Sequence, residues 1–431
     1  MTPTTFKGFY LVRPRLALVA LLLALCPSWV FSQTLEPEDQ GAFPVGFRLV
    51  TVSGQSTGNS LIQLRVQYPA TVAGEDVPLE FSGAPYGLVV FAHAFGTPAI
   101  VYDSLGAHHA SRGTISVSVA TEEGTVGISL ARLARDVESA VLGMRQMSVT
   151  STSPLVGAVS PTTKAIFMGH GFGGTAAVLA ASARPDLCRG VITLAAHASH
   201  VHNQNVTGAL QWLAVPTLHI GASDDLMIPP AQNLSQLHNG SSTTGRMIEI
   251  QGGNHSSFHE AYWYDRLLEP PPAIGLAEQQ RLTRRYTMPF IEWQLYGSMT
   301  DINKFLGPSA KNDPRLASQA IRLKEALLFA TGPGTLGSVL EIHAARSPTD
   351  LAFLAVSLQV APAMTTYGIS YLDVGTRVIL PPIRVEADSF ATMPYFIPPW
   401  PQLQGVSFPC QAFIANGFDA QLSNLWIVEI H

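Results

Sequence analysis

Six residues constrain this chain more than any others: Gly169-His170-Gly171-Phe172-Gly173-Gly174. An apolar, strand-like run, Lys164 to Met168, leads into them. A small-residue, helix-like run, Thr175 to Ala183, leads out. Glycine adopts positive φ and lets backbones approach closely, so the stretch predicts a strand that turns sharply into a helix. A strand feeding a helix is half of a βαβ crossover, which implies a parallel sheet.

The same alternation recurs along the chain. Val45 to Ala70 alternates apolar and polar residues, as a hairpin of early strands does. Short, nearly all-apolar runs at Leu88–His93, Thr114–Ala120, Ala165–Met168, Gly190–Ala195, Thr217–Gly221 and Arg246–Ile250 suit strands buried on both faces. Helical patterns fall at Ser104–Arg112, Thr175–Ala183 and Leu130–Met147, the last with Asp136 and Glu138 off its apolar stripe. The prediction is an α/β, doubly wound, mainly parallel sheet. After Glu269-Pro270-Pro271-Pro272, further helices are expected over Glu278–Met299 and Arg315–Ala330, and Thr331-Gly332-Pro333-Gly334 reads as a linker. Beyond it, β-type segments at Ser338–His343, Ala352–Gln359, Thr376–Leu380, Ser407–Ile414 and Leu425–Ile430 suggest a small β-sandwich of about 95 residues. The expected organisation is therefore a signal peptide at 1–32, a sheet domain at 33–300, a helical linker at 301–333 and a β-sandwich-like domain at 334–431.

Composition limits the function classes. Of 431 residues, 47% are hydrophobic and 13% charged, which excludes a disordered chain. Net charge is −5 with no basic patch, which argues against a nucleic-acid partner. Lys7, Arg13 and Arg15 precede the apolar core Leu16–Leu25, and Val30-Phe31-Ser32 offers a cleavage site. That core is too short to span a bilayer. The expectation is a secreted, periplasmic or cell-surface protein, the alternative being an uncleaved anchor. Cleavage would leave Cys188 and Cys410, either bridged after export or two unrelated buried thiols. No Cys/His zinc spacing is present, and no cofactor is expected. The clusters His197/His200/His202 and His108/His109 read as ordinary histidines rather than a metal site.

The chemistry-bearing residues follow the predicted strands. Acyl transfer needs a nucleophile, a base, a group orienting the base and donors for the oxyanion. The glycine-rich turn has the context of a nucleophile elbow, G-x-S-x-G, in which Gly171 holds the serine position. Asp225 follows the strand at Thr217, and His255 follows the strand at Arg246, within Gly252-Gly253-Asn254-His255. The order nucleophile, acid, histidine is that of the α/β-hydrolases. On these motifs the chain resembles the cutinase and polyester-hydrolase branch of the dienelactone-hydrolase-like α/β-hydrolases, related to platelet-activating-factor acetylhydrolases and chlorophyllases. The likeness runs from about Gly87 to Phe258. Ala92-His93-Ala94-Phe95-Gly96 stands where the family has S-P-G-F/Y, and Ala110-Ser111-Arg112-Gly113 where it has A-S-H-G.

The resemblance implies Asp225 as acid, His255 as base, and the backbone amides of Phe95 and Phe172 as oxyanion donors. It implies a small-molecule ester, lipid or polyester ligand; the partner of the C-terminal domain stays unknown. Two departures stand out. Gly171 replaces the serine, and Ala195 to His200 lacks the family's tryptophan. Without an Oγ no acyl-enzyme forms at Gly171. The expectation is a carboxylic-ester-hydrolase fold that is inactive or very weak and binds its ligand. The alternatives are an ester hydrolase using water activated by His255, one with a displaced nucleophile (Thr97, Thr175 or Ser256), and an adhesion or scaffold protein acting through its C-terminal β-domain. His170 is expected to be structural, packed beneath the turn, and Asp225 could instead cap a helix beginning near Pro229.

Overall fold

A computed structural model describes residues 35–56 and 59–431. The expected signal peptide, and Cys26 with it, lies outside the described residues. The sheet strands are β1 (Val45–Ser56), β2 (Asn59–Pro69), β3 (Gly74–Glu75), β4 (Gly87–Ala92), β5 (Thr114–Val119), β6 (Ala165–His170), β7 (Cys188–Leu194), β8 (Thr217–Ala222), β9 (Gly245–Ile250) and β10 (Leu316–Arg322). They form one sheet in the order β10-β9-β8-β7-β6-β4-β5-β2-β1-β3. β4 through β9 run parallel to their neighbours within that block, while β1, β2 and β10 join antiparallel.

Alternate residues explain why these strands read as unbroken apolar runs. Leu88, Val90 and Ala92 of β4 enter one core with Ala165 and Phe167 of β6. Val89 and Phe91 enter the opposite core with Ile166 and Met168. Helices α1 (Asp103–Ser111), α2 (Leu130–Val149) and α3 (Phe172–Ala183) connect the first parallel strands. Leu133, Val137 and Val141 of α2 and Ala176, Ala177 and Ala180 of α3 pack on the first face. Leu105 of α1, with Leu282, Tyr286 and Phe290 of the long helix Leu276–Tyr296, packs on the second. Asp136 was expected off the α2 apolar stripe. It is instead buried, and Thr121 Oγ1 donates to its Oδ2 at 2.6 Å.

The helix expected over Arg315–Ala330 does not form. Leu316, Ala320, Leu323 and Leu327 have helical spacing, but β10 and a second strand, β11 (Leu327–Thr331), occupy the segment. The open edge of β9 decides the outcome, because an unpaired ladder of backbone donors and acceptors favours a partner strand. Side chains lock the register. Gln319 Oε1 accepts from the fully buried Arg246 at 2.6 Å, and Ser318 Oγ donates to Glu249 at 2.5 Å.

The C-terminal strands build two packed antiparallel sheets and a separate two-stranded hairpin. β11, β12 (Val339–Ala345) and a strand at Phe390–Phe396 form one; strands at Leu351–Val356 and Ser407–Ala415 centre the other. Leu328, Leu340 and Ile342 meet Leu354, Ala412 and Ile414 between them, the core of a β-sandwich. Cys188 and Cys410 are both buried free thiols, so the bridged alternative is not formed. Burial pushes each thiol up to about 12, which leaves both unreactive. Among the described residues no helix is long and apolar enough to cross a membrane.

Buried histidines make the fold acid-sensitive. Burial pushes His108, His109 and His219 down to about 3 and His238 down to about 4. An unfolded histidine titrates near 6.5. Depressed folded values mean that stability is full above about 6.5 and is lost as pH falls toward the folded values. Each group costs up to about 1.4 kcal/mol per pH unit across that window. The urea midpoint is therefore expected to hold steady above about pH 7 and to drop steeply between about 6 and 4. A midpoint flat across that range would contradict these neutral, buried imidazoles.

Candidate active site

The strand order reverses at β4, which has β5 on one side and β6 on the other. Ligands of open α/β sheets bind at such a reversal, beyond the strand C-termini. The loops after β4 and β6 meet there. Gly171 ends β6 and caps α3 at φ 52°, ψ −115°. Its amide donates to Leu194 O at 2.8 Å. Gly173 sets how closely α3 approaches β4: a Cβ there would sit 2.1 Å from Ala92 O. The turn thus keeps the sharp strand-to-helix form of an elbow while presenting no side chain.

Asp225 and His255 come together from separate loops. His255 Nδ1 lies 2.9 Å from Asp225 Oδ2, and both side chains are buried. The other carboxylate oxygen accepts from the amides of Met227 (2.9 Å) and Ile228 (2.6 Å). These bonds fix the carboxylate in an Asx-type loop. The helix after it, Pro230–Gly240, has Pro229 at its N-cap and no side-chain cap, so Asp225 does not serve as that cap. Asp224 turns away and accepts from Ser223 Oγ. Gln279 clamps the histidine loop, accepting from Asn254 N at 2.9 Å and donating to Asn254 O at 2.7 Å. An acceptor at Nδ1 assigns the proton there and leaves the Nε2 lone pair free. That Nε2 faces the turn: a Cβ on Gly171 would stand 3.2 Å from it.

The amides of Phe95 and Phe172 border the same space. Among the described residues neither donates to a backbone acceptor. Phe172 opens α3, where the helix dipole favours negative charge. Tyr264 holds the Phe95 loop, with its hydroxyl 2.8 Å from Gly96 O and 2.8 Å from Thr97 Oγ1. His170 is buried beneath the turn, its ring centroid 4.4 Å from that of His255. Tyr102 OH accepts from Ala94 N and reaches His170 Nδ1 at 2.9 Å, linking the Phe95 loop to the ring behind His255. Burial holds His170 well below the usual imidazole range, so it stays neutral.

A cavity of about 630 Å³ opens above these groups. Phe95, Phe172 and His202 line one side, with the Phe172 and His202 rings 4.9 Å apart. Tyr262, Trp263 and Tyr264 line the other. This second wall was missed in the sequence, although three successive aromatics shortly after His255 were a visible signal. The segment Ala195–His200 contributes His197 and no tryptophan. Of the hydroxyls considered as displaced nucleophiles, Thr175 Oγ1 bonds Gly171 O behind the turn and Thr97 bonds Tyr264. Ser256 lines the cavity, and none of the three bonds His255 Nε2. His108 and His109 are buried in α1. Among the described residues no group of three or more His, Cys, Asp or Glu is arranged to hold a metal.

The model of the PETase family, described as PET hydrolase-like, matches residues 46–263. The match takes in Phe95, Gly171, Phe172, Asp225 and His255 and ends at Trp263. No curated protein matches the chain.

Proposed function

We propose, from the premise that the chain belongs to the PET hydrolase-like family, that it is an exported ester-binding protein with a silenced hydrolase site. The observation that carries this reading is the empty face of the turn at Gly171, opposite a His255 that is otherwise fully equipped. Asp225 orients His255, His255 presents Nε2, and the Phe95 and Phe172 amides await a carbonyl oxygen. The missing part is the one that forms the acyl-enzyme. The ligand class is an ester or polyester segment; the hydrolase sheet runs on through β10, so the boundaries expected at 300 and 334 move to the short stretch between β10 and β11, where the β-module begins.

The aromatic wall supports ligand retention. Trp263 is 76% exposed and leans 5.3 Å from the Tyr264 ring, which is itself tied to the Phe95 loop. Aromatic faces so placed stack on a flat acyl group. Diethyl terephthalate is expected to bind, by NMR saturation transfer, without release of acid over hours. Trp263→Ala is expected to weaken that binding about tenfold, since one aromatic contact is worth roughly 0.5–1.5 kcal/mol beyond its buried area. Absence of binding would sink the reading. A second reading rests on the free Nε2 lone pair facing the cavity: His255 could draw a proton from a water held above Gly171. Slow acid release abolished by His255→Ala would favour it.

A further inference from the structure

The C-terminal β-module carries a cavity that the hydrolase site does not use. Its central strands, Leu351–Val356 and Ser407–Ala415, pair antiparallel with Phe353 opposite Phe413. Side chains alternate along them. Ala352, Leu354, Ala412 and Ile414 face the sandwich core. Phe353, Ala355, Gln411 and Phe413 therefore face outward, away from that core. A hairpin, Val360–Thr365 with Gly368–Leu372, roofs this outer face. Gln411 Nε2 donates to Ile369 O at 2.8 Å, its Oε1 accepts from Tyr371 N, and Leu422 N donates to Tyr367 O. The roof is thus pinned at one side and stands off the sheet elsewhere. The gap is about 440 Å³.

A partly roofed groove of that volume is within the range of ligand pockets. The lining states a chemistry. Phe353, Phe413 and Tyr367 form an aromatic floor and wall, with ring centroids 6.2 Å and 5.2 Å apart along the series. Arg377 stands at the edge, half-buried, and forms no ion pair among the described residues. A guanidinium and aromatic faces lining one cavity match a flat ring that carries a carboxylate.

We propose that this cavity binds an aromatic carboxylate, its ring lying against Phe353, Phe413 and Tyr367 and its carboxylate on Arg377. Ester hydrolysis produces such groups both as free acids and as chain ends on a polymer surface. The site stands independently of whether the Gly171 turn supports turnover.

Calorimetric titration of the full chain with benzoate and with neutral methyl benzoate tests it. Benzoate is expected to bind more tightly than its ester. Arg377→Gln is expected to weaken benzoate about tenfold or more and to erase the difference between the two. Tyr367→Ala, at the exposed hairpin tip, keeps the test alive if Arg377→Gln misfolds and is expected to weaken both ligands. Both titrations are repeated in a Trp263→Ala background, which weakens the cavity above His255; the preference for benzoate and its dependence on Arg377 should persist there, which separates the two sites. Retention on a partly hydrolysed polyester film that needs Arg377 would identify chain ends as the source. Film retention indifferent to Arg377, with Arg377-dependent benzoate binding, would identify the free acid. No benzoate binding, binding indifferent to Arg377→Gln, or a preference for benzoate lost in the Trp263→Ala background would each overturn the proposal.

Discussion

Gly171→Ser is expected to turn this chain into an esterase. On p-nitrophenyl butyrate the gain should be at least about 10³-fold, because loss of a triad nucleophile costs about 10⁶ in turnover. The geometry is ready for the hydroxyl. The added Cβ would lie 3.2 Å from His255 Nε2, 3.3 Å from its Cε1 and 3.5 Å from Ala94 Cβ. That contact is tight, so the imidazole must yield by a few tenths of an ångström. The backbone also resists, because Gly171 sits at φ 52° and a side chain there costs on the order of 1–3 kcal/mol. Activity and stability should therefore move in opposite directions, with a lower urea midpoint accompanying the gain. Gly171→Ala separates the two effects. It carries the same strain without an oxygen, and should lose stability while gaining no activity. Equal rates for the serine and alanine variants would show that the turn is not a vacated nucleophile position.

How much of this was visible in the sequence depends on what stabilised each element. The parallel strands were legible because both their faces are buried, which forces runs such as Leu88–Ala92 to be apolar throughout. The turn was legible because Gly171 and Gly173 meet backbone constraints that few other residues satisfy. The site order was legible because Asp225 and His255 each follow a strand. What failed was any element decided by a distant partner. Leu316 to Leu327 carries a helical spacing, yet an open β9 edge and the buried Arg246 reach into it and hold it extended. The aromatic wall was overlooked for a related reason. Nothing local in Tyr262-Trp263-Tyr264 says that Tyr264 hooks onto Gly96 O, a residue 168 positions away. The Arg377 cavity likewise exists only because a hairpin folds over the outer face of a sheet.

The dyad gives the sharpest test of the chemistry. In a Gly171→Ser background, Asp225→Asn is expected to lower kcat by about 10⁴, the scale found for this exchange in a serine triad. The hydrogen-bond geometry supplies the reason. Oδ1 of residue 225 must keep accepting from the Met227 and Ile228 amides, so the new amide nitrogen has to take the Oδ2 position. It then points an N–H at His255 Nδ1, 2.9 Å away. Nδ1 becomes the acceptor and the ring proton moves to Nε2, which can no longer take a proton from the serine. Because the loop bonds survive, the urea midpoint should change far less than the rate. That split distinguishes an orienting carboxylate from one that merely holds the loop. A variant that keeps kcat within about tenfold would show that Asp225 does not govern the histidine, and the Gly171 gain would then need another base.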